Sequence, residues 1–522
     1  MPVRAAHCVV ILSALLFGAA AAAQQTEKVR PTLTVSKATT RITEPLTADG
    51  WPDYIGALNQ QLGAGVTPEN NAVVMFYRAL GPTPDGTEQP DRFFDLLGIA
   101  RPPRTGDYFV DYDSFLTDEA GLAPGGEEFQ QAFDQFLPAT MRPWTAEQYP
   151  RVAEWLRSNE KPLALVVEGT RRPLYFSPLV SSNEDGLPAG LISVLLPGVQ
   201  EARALARALC ARALLRSAAG ETEAAQQDLL ACHRLGRLTG QGPTLIEGLV
   251  AIAIDAMAAS ADLAFVERAR PEATAIQRFS AELDRLPPLP RMADKIDLGE
   301  RYMFLDSVLM IARGDKQTME LIQAEGAAAR LLARLSVNAI DWDIVLKLAN
   351  QVYDRLVAAL RQEDRRERDA ATHVALDEME ALVKEARDPQ ALQKLAANAK
   401  NPREALSQLV ARATLGLLLP AVTQAVTAED VARQRMRNLQ VALALAAFRH
   451  EQGRFPQELR ELSPRYLEDI PPDWFSGRPL LYKPSAAGYV LYSVGPNAVD
   501  DGGRDRTADP EGDDVVIRVP LP

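Results

Sequence analysis

Between Tyr492 and Val519 the chain reads YSVGPNAVDDGGRDRTADPEGDDVVIRV, a strand-like run, a glycine-laced acidic loop and a second strand-like run. Six aspartates fall in that loop, and at this density they repel one another unless a cation or solvent separates them. Carboxylates and carbonyls are the ligands of hard cations, and calcium takes about six to eight oxygens at ~2.3–2.6 Å. Glycines let a loop wrap that closely. No His or Cys lies nearby to supply a softer donor. The loop's aspartates are therefore candidate ligands for a hard cation such as calcium. A solvated acidic loop is the alternative, and glycines favour that as well.

A second set of carboxylates, Asp297, Glu300, Asp306, Asp341 and Asp343, lies on or beside long helical stretches with Trp342 among them. Paired acids run glycosidase chemistry, with the separation of the two carboxyls setting the stereochemical outcome. Spacing alone does not bring these five together. The competing reading is structural: Asp297 pairs with Arg301 one turn on, and Asp341 caps a helix beginning at Trp342.

Other chemistries lack their residues. After the leader only His233, His373 and His450 remain, none in HExxH or ExxH, and GxSxG, GxxxxGK[ST] and GxGxxG are absent. Cys232 and His233 are neighbours, which a helix points about 100° apart, a poor geometry for nucleophile and base. Cys210 and Cys232 flank a turn at Gly220, and in an oxidising compartment they are expected to form a disulfide.

The first residues, MPVRAAHCVVILSALLFGAAAAAQQ, join one arginine to an apolar run and small residues at its end. Residues 1–23 read as a secretory signal peptide, giving an exported protein, periplasmic or extracellular. Cys8 precedes the apolar run, so a lipid anchor is unsupported, and the run is shorter than the ~20 residues of a membrane span. The chain carries a net charge of −13, and losing Arg4 with the leader makes it −14. Such acidity argues against nucleic acid as a partner. Envelope proteins are the expected partners, with no membrane span in the mature chain.

With 522 residues, 47% apolar and 24% charged, the chain has material for more than one packed core. The expected fold is mainly α: an irregular multi-helix domain followed by a small α+β domain, a helix plus a three-stranded antiparallel sheet. The expected boundaries are a polar tether at 24–50, a loop-rich helical region at 51–198, a helical domain at 199–427 and a terminal domain at 428–522. ALLRSAAGETEAAQQDLLACHRL resembles one tetratricopeptide-type hairpin, in a single copy. RQEDRRERD alternates in sign, the pattern of a solvated helix face.

From Thr427 the order is a helix containing ALAAF, then GRFPQELREL, YLEDIPPD, PLLYKP, GYVLYSVGP and a late Asp pair before VVIRV. In that order these motifs resemble the globular domain of the type II secretion major pseudopilin family, over 428–522. The resemblance implies a calcium site in the loop between the last strands. It places Asn497 where an aspartate is usual, matches Asp513 and Asp514 to the late acidic pair, and leaves Asp500, Asp501 and Asp505 without a counterpart but able to substitute as ligands, so these six are the candidate calcium ligands. Pseudopilins begin with a leader followed at once by the polymerising helix, whereas here some 400 residues come first, so pilus assembly is not implied. The leading expectation is an exported, non-catalytic scaffold or interaction protein with a calcium-stabilised pseudopilin-like module. The alternative is an envelope hydrolase or lyase using Asp297, Glu300, Asp341 and Asp343.

Overall fold

The computed structural model describes residues 33–181, 190–194, 197–315, 337–386, 388–415 and 419–521. The expected signal peptide at 1–23 and residues 24–32 of the expected tether lie outside them. The chain is 59% helical with one small antiparallel sheet near its end, the mainly α class with a small α+β part. The elements that matter below are, in chain order, α1 (Ala72–Leu80), α2 (Pro197–Ala218), α3 (Thr222–Thr239), α4 (Leu245–Ala264), α5 (Ala273–Asp284), α6 (Arg301–Ala312), α7 (Trp342–Leu360), α8 (Pro402–Leu415) and α9 (Leu419–Gln452). The strands are β1 (Leu481–Pro484), β2 (Tyr489–Ser493) and β3 (Val515–Val519), paired in the order β1-β2-β3.

Two compact units replace the linear domains expected from sequence. One comprises the described residues of Met1–Gln61, Leu179–Leu195 and Ala293–Gln424, the other Leu62–Pro178, Leu196–Met292 and Ala425–Pro522.

In the second unit, α2 and α3 form the hairpin that Gly220 permits by taking φ +77°. Asp228 on α3 binds Arg212 at 2.6 Å and Arg216 at 2.6 Å across the hairpin, with the Asp228 side chain buried. The helix α4 starts in a full capping box, Thr244 with Glu247. That reciprocal cap satisfies two backbone donors that a helix start otherwise leaves unpaired. The stretch Leu245–Ala269 is long and apolar enough to cross a bilayer, and here 67% of its most apolar window is buried in the core.

Residues 428–522 do not form a separate module. One face of α9, with Leu439, Leu443, Ala446 and Ala447, joins the core built by α2 to α5. Another face, with Val441, Leu445 and Phe448, joins Tyr489, Leu491, Ile517 and Val519 of the sheet. A helix that is apolar on two sides must be covered on both. Thr427 does not open this helix either, since α9 is already helical from Leu419. Gly453 ends it at φ +70°.

In the first unit, residues 33–50 are not a loose tether. Thr39 and Thr40 are fully buried. The Asn350 side chain on α7 donates to the carbonyls of Ala38 and Thr39, and Tyr54 Oη donates to that of Thr40. Threonine hydroxyls also turn the backbone on itself: Thr40 Oγ1 donates to Ser36 O and Ile42 O. Polar residues reached this burial because their hydrogen bonds are satisfied locally.

Candidate metal centre

The acidic loop is positioned by a polar ladder on α9. Asp430, Gln434 and Asn438 are spaced four apart and share one face. Asp430 accepts from Trp474 Nε1 at 2.8 Å, Gln434 accepts from the Trp474 amide at 2.6 Å, and Asn438 donates to Val515 O at 2.8 Å. The first two rungs fix the turn before β1, and the third fixes the start of β3. Asp473, 2% exposed, then ties that turn to the end of β2. Its carboxylate accepts from Ser493 Oγ at 2.9 Å and from the Val494 amide at 3.0 Å.

The sheet offers two faces with different covers. Tyr489 and Leu491 face α9, whereas Val490 and Tyr492 lie on the other face together with Lys483 and Arg518, which register opposite Val490. The loop folds back over that second face. Gly503, at φ +88°, sits where a Cβ would stand 3.4 Å from Val490 and 3.5 Å from Tyr492. Lys483 Nζ donates to Gly502 O at 3.5 Å, and Arg518 donates to Gly503 O and pairs with Asp505 at 2.9 Å. Two strand-borne cations thus pull the acidic loop onto the sheet.

This fold-back brings together three of the six residues singled out above. Asp501, Asp513 and Asp514 each place a carboxylate oxygen within 4.8 Å of the others. Asp501 Oδ2 accepts from the Asp513 amide at 3.1 Å. Asp514, 3% exposed, accepts from the amides of Gly503 at 2.7 Å and Asp501 at 3.4 Å. Asp513 Oδ2 accepts from the Asn497 amide at 3.0 Å, while its buried Oδ1 has no hydrogen-bond partner. Burial raises the pKa of Asp514, the two amides oppose that rise, and the charges of Asp501 and Asp500 add to it.

The other three stand apart. Asn497 borders the cluster, its Nδ2 3.4 Å from Asp501 and its Oδ1 taken by the Val499 amide. Asp500 accepts from the Gly502 amide at 2.8 Å, closing a local turn. Asp505 is spent on Thr507 and Arg518, whose hydrogen bonds lower its pKa against the opposing effect of burial. What separates them is local: Asp500 closes a turn on the Gly502 amide, and Arg518 on β3 claims Asp505.

The donor set fits a hard cation. All three clustered groups are carboxylates, one of them holds an orphaned buried oxygen, and no nitrogen or sulfur ligand intrudes. Oxygen-only donors with this charge suit calcium, and Asp501, Asp513 and Asp514 are the residues that would hold it.

The helix-borne carboxylates are engaged otherwise. Asp297 binds Arg301 at 2.9 Å and Arg361 at 3.0 Å, with Arg41 at 3.8 Å. Asp341 caps α7 by accepting from the Asp343 amide at 3.1 Å. Asp343 accepts from the Thr34 amide at 2.9 Å and lies 3.8 Å from Lys347. Glu300 gives its backbone carbonyl to Tyr353 Oη. Asp306 accepts from the Leu191 amide at 2.6 Å, and burial pushes its pKa up to about 6. The expected Cys210–Cys232 bridge is open here: the two sulfurs touch at 3.7 Å as free thiols, against the ~2.05 Å of a bond.

One constellation went unread in the sequence. His233, fully buried, holds Asp255 at Nδ1 (2.6 Å) and Asp262 at Nε2 (2.8 Å), and Arg237 also pairs with Asp255. The ring is thus bracketed by a carboxylate on each nitrogen, with the Arg237 guanidinium on the Asp255 side. The signal was present: Asp255 and Asp262 are two acids seven apart, hence on one face, in an otherwise apolar helix.

No known protein family, no curated protein and no solved structure matches this chain.

Proposed function

We propose that the chain is an exported, non-catalytic scaffold or interaction protein of the cell envelope, whose C-terminal, pseudopilin-like part is stabilised by calcium at Asp501, Asp513 and Asp514. The observation that carries the calcium reading is the convergence of these three carboxylates around an orphaned, buried Asp513 Oδ1. Export rests on the leader pattern of residues 1–23. The scaffold reading draws support from the helix-borne carboxylates, since Asp297, Asp341 and Asp343 serve ion pairs and a helix cap.

Calcium bound at the loop adds a positive charge where Asp501 and Asp514 otherwise repel, and it joins both ends of the loop into one unit. Mass action then stabilises the folded state by about 2.7 kcal/mol when free calcium is ~100 times the dissociation constant. Calorimetric titration of the full chain with calcium tests the reading. One saturable site that disappears in Asp501→Asn with Asp513→Asn supports it. No heat beyond dilution contradicts it, and so does unchanged binding by the double variant. Recovery of the mature protein in complex with another envelope protein tests the scaffold part, and a chain recovered only alone counts against it.

A further inference from the structure

The second unit carries an open cleft of ≈ 370 Å³ with no part in the calcium reading. One wall is the segment from Leu283 to Leu289, the other is the face of α9 that bears Glu429, Arg433, Met436, Arg437 and Gln440, and Arg237 also lines it. Hydrogen bonds stitch the walls together at two places. Gln440 Nε2 donates to Asp284 at 2.7 Å, and the Met292 amide donates to Glu429 at 2.7 Å. The walls are therefore held at a fixed separation, and the space between them is built into the fold.

Three guanidinium groups line this cleft, and their partners differ. Arg237 pairs with the buried Asp255. Arg433 pairs with Glu429 at 3.0 Å. Arg437 donates only to a neutral acceptor, Pro472 O, at 2.7 Å. Asp473, the acid whose charge favours Arg437, already spends both oxygens on Phe475, Ser493 and Val494. Arg433, one turn back on the same helix, opposes it. Both guanidiniums lie over the Trp474 ring, at 4.3 and 4.8 Å from its centroid, which holds their planes in place. Arg437 is thus a half-buried, pre-oriented cation with no carboxylate among the described residues at ion-pair distance.

We propose that this cleft binds a small amphipathic carboxylate, its carboxylate on the Arg437 fork and its apolar body against Leu283, Leu286, Leu289 and Met436. A guanidinium whose hydrogen bond goes to a neutral carbonyl has room in contact for one negative charge. Asp284 and Glu429 on the walls disfavour a dianion such as a phosphate monoester. A planar carboxylate accepts two parallel hydrogen bonds from a guanidinium. A cleft of ≈ 370 Å³ lies near the lower end of small-ligand sites, so the ligand is small.

Octanoate is the probe, compared with octan-1-ol and acetate by calorimetric titration of the full chain. Octanoate should saturate one site; octan-1-ol, without the charge, should bind at least about tenfold more weakly, the value of one charge-assisted contact, and acetate, without the apolar body, should also bind at least about tenfold more weakly. Arg437→Gln keeps a donor for Pro472 O and removes the charge, so it should lose about tenfold or more of octanoate affinity while octan-1-ol is unaffected. Leu286→Asp, on the opposite wall, should lower octanoate binding by a similar factor, which keeps the test open if the arginine variant does not fold. The proposal is overturned if octan-1-ol matches octanoate, if Arg437→Gln binds octanoate like the unaltered chain, or if octanoate shows no saturable binding.

Discussion

Asp501 accepts a 3.1 Å hydrogen bond from the backbone amide of Asp513, locking the two ends of the acidic loop together. The contact puts two carboxylates of like charge side by side in a loop that Lys483 and Arg518 hold against the sheet. Gly495 makes the approach feasible. At φ +67°, its Cβ position falls on the carbonyl of Asp513.

Gly495→Ala should therefore open the loop. Positive φ and a backbone clash act together, so a loss of about 1–3 kcal/mol is expected, along with weakened calcium binding. Urea unfolding with and without calcium measures both. A variant as stable as the unaltered chain would place Asp513 elsewhere.

The buried His233 cluster makes a larger prediction. His233→Ala leaves Asp255 with Arg237 alone and Asp262 with no cation in contact, in a site closed to water. Removing one partner of a buried charge set costs about 3–5 kcal/mol. Equilibrium urea unfolding reads this directly. A change below ~1 kcal/mol would mean that the two carboxylates are held neutral.

Asp306 gives a pH signature. Burial lifts its pKa to about 6, whereas the unfolded carboxyl titrates near ~4. Between those values the folded state holds a proton that the unfolded state has released. Stability is thus lost as pH rises through that window, by up to about 2–3 kcal/mol. Asp306→Asn keeps an acceptor for the Leu191 amide and never ionises. It should be more stable than the unaltered chain at pH 7 and equal to it below ~pH 4. Equal stability at both pH values would contradict the assignment.

Cys210 and Cys232 are both buried, so alkylation reaches them only after unfolding. The hydrogen bond with Cys210, and then burial, raises the pKa of Cys232 and keeps it a poor nucleophile in the folded state. Closure during oxidative folding is the expected route. Mature chain, which lacks Cys8, prepared under oxidising conditions and then unfolded without reductant should take up no label, and reduced mature chain two. Two labels from the oxidised preparation would mean the pair remains thiols.

The legible parts of this fold were those governed by neighbours in sequence. Gly220 acts within a turn, and Asp341 caps the helix that follows it. The illegible parts depend on which partner arrives from far along the chain. Thr39 and Thr40 read as tether because Asn350, which buries them, lies some 310 residues away. Asp505 reads as a substitute ligand, and Arg518 on β3 claims it. Residues 428–522 read as self-contained because the second apolar face of α9 does not declare which helices cover it.

Because residues 428–522 bury α9 against α2 to α5, calcium bound at the loop stabilises the full chain and not an isolated C-terminal fragment. The most direct measurement is the melting temperature of the full chain in calcium and in chelator, for the unaltered protein and for Asp501→Asn with Asp513→Asn. These substitutions keep acceptors for the Asp513 and Asn497 amides and remove two charges. Calcium should raise the melting temperature of the unaltered chain, by about 2–4 °C per kcal/mol if each unit melts as a domain of 150–250 residues. The double variant should melt at one temperature in both solutions. Identical melting of the unaltered chain with calcium and with chelator would contradict the account.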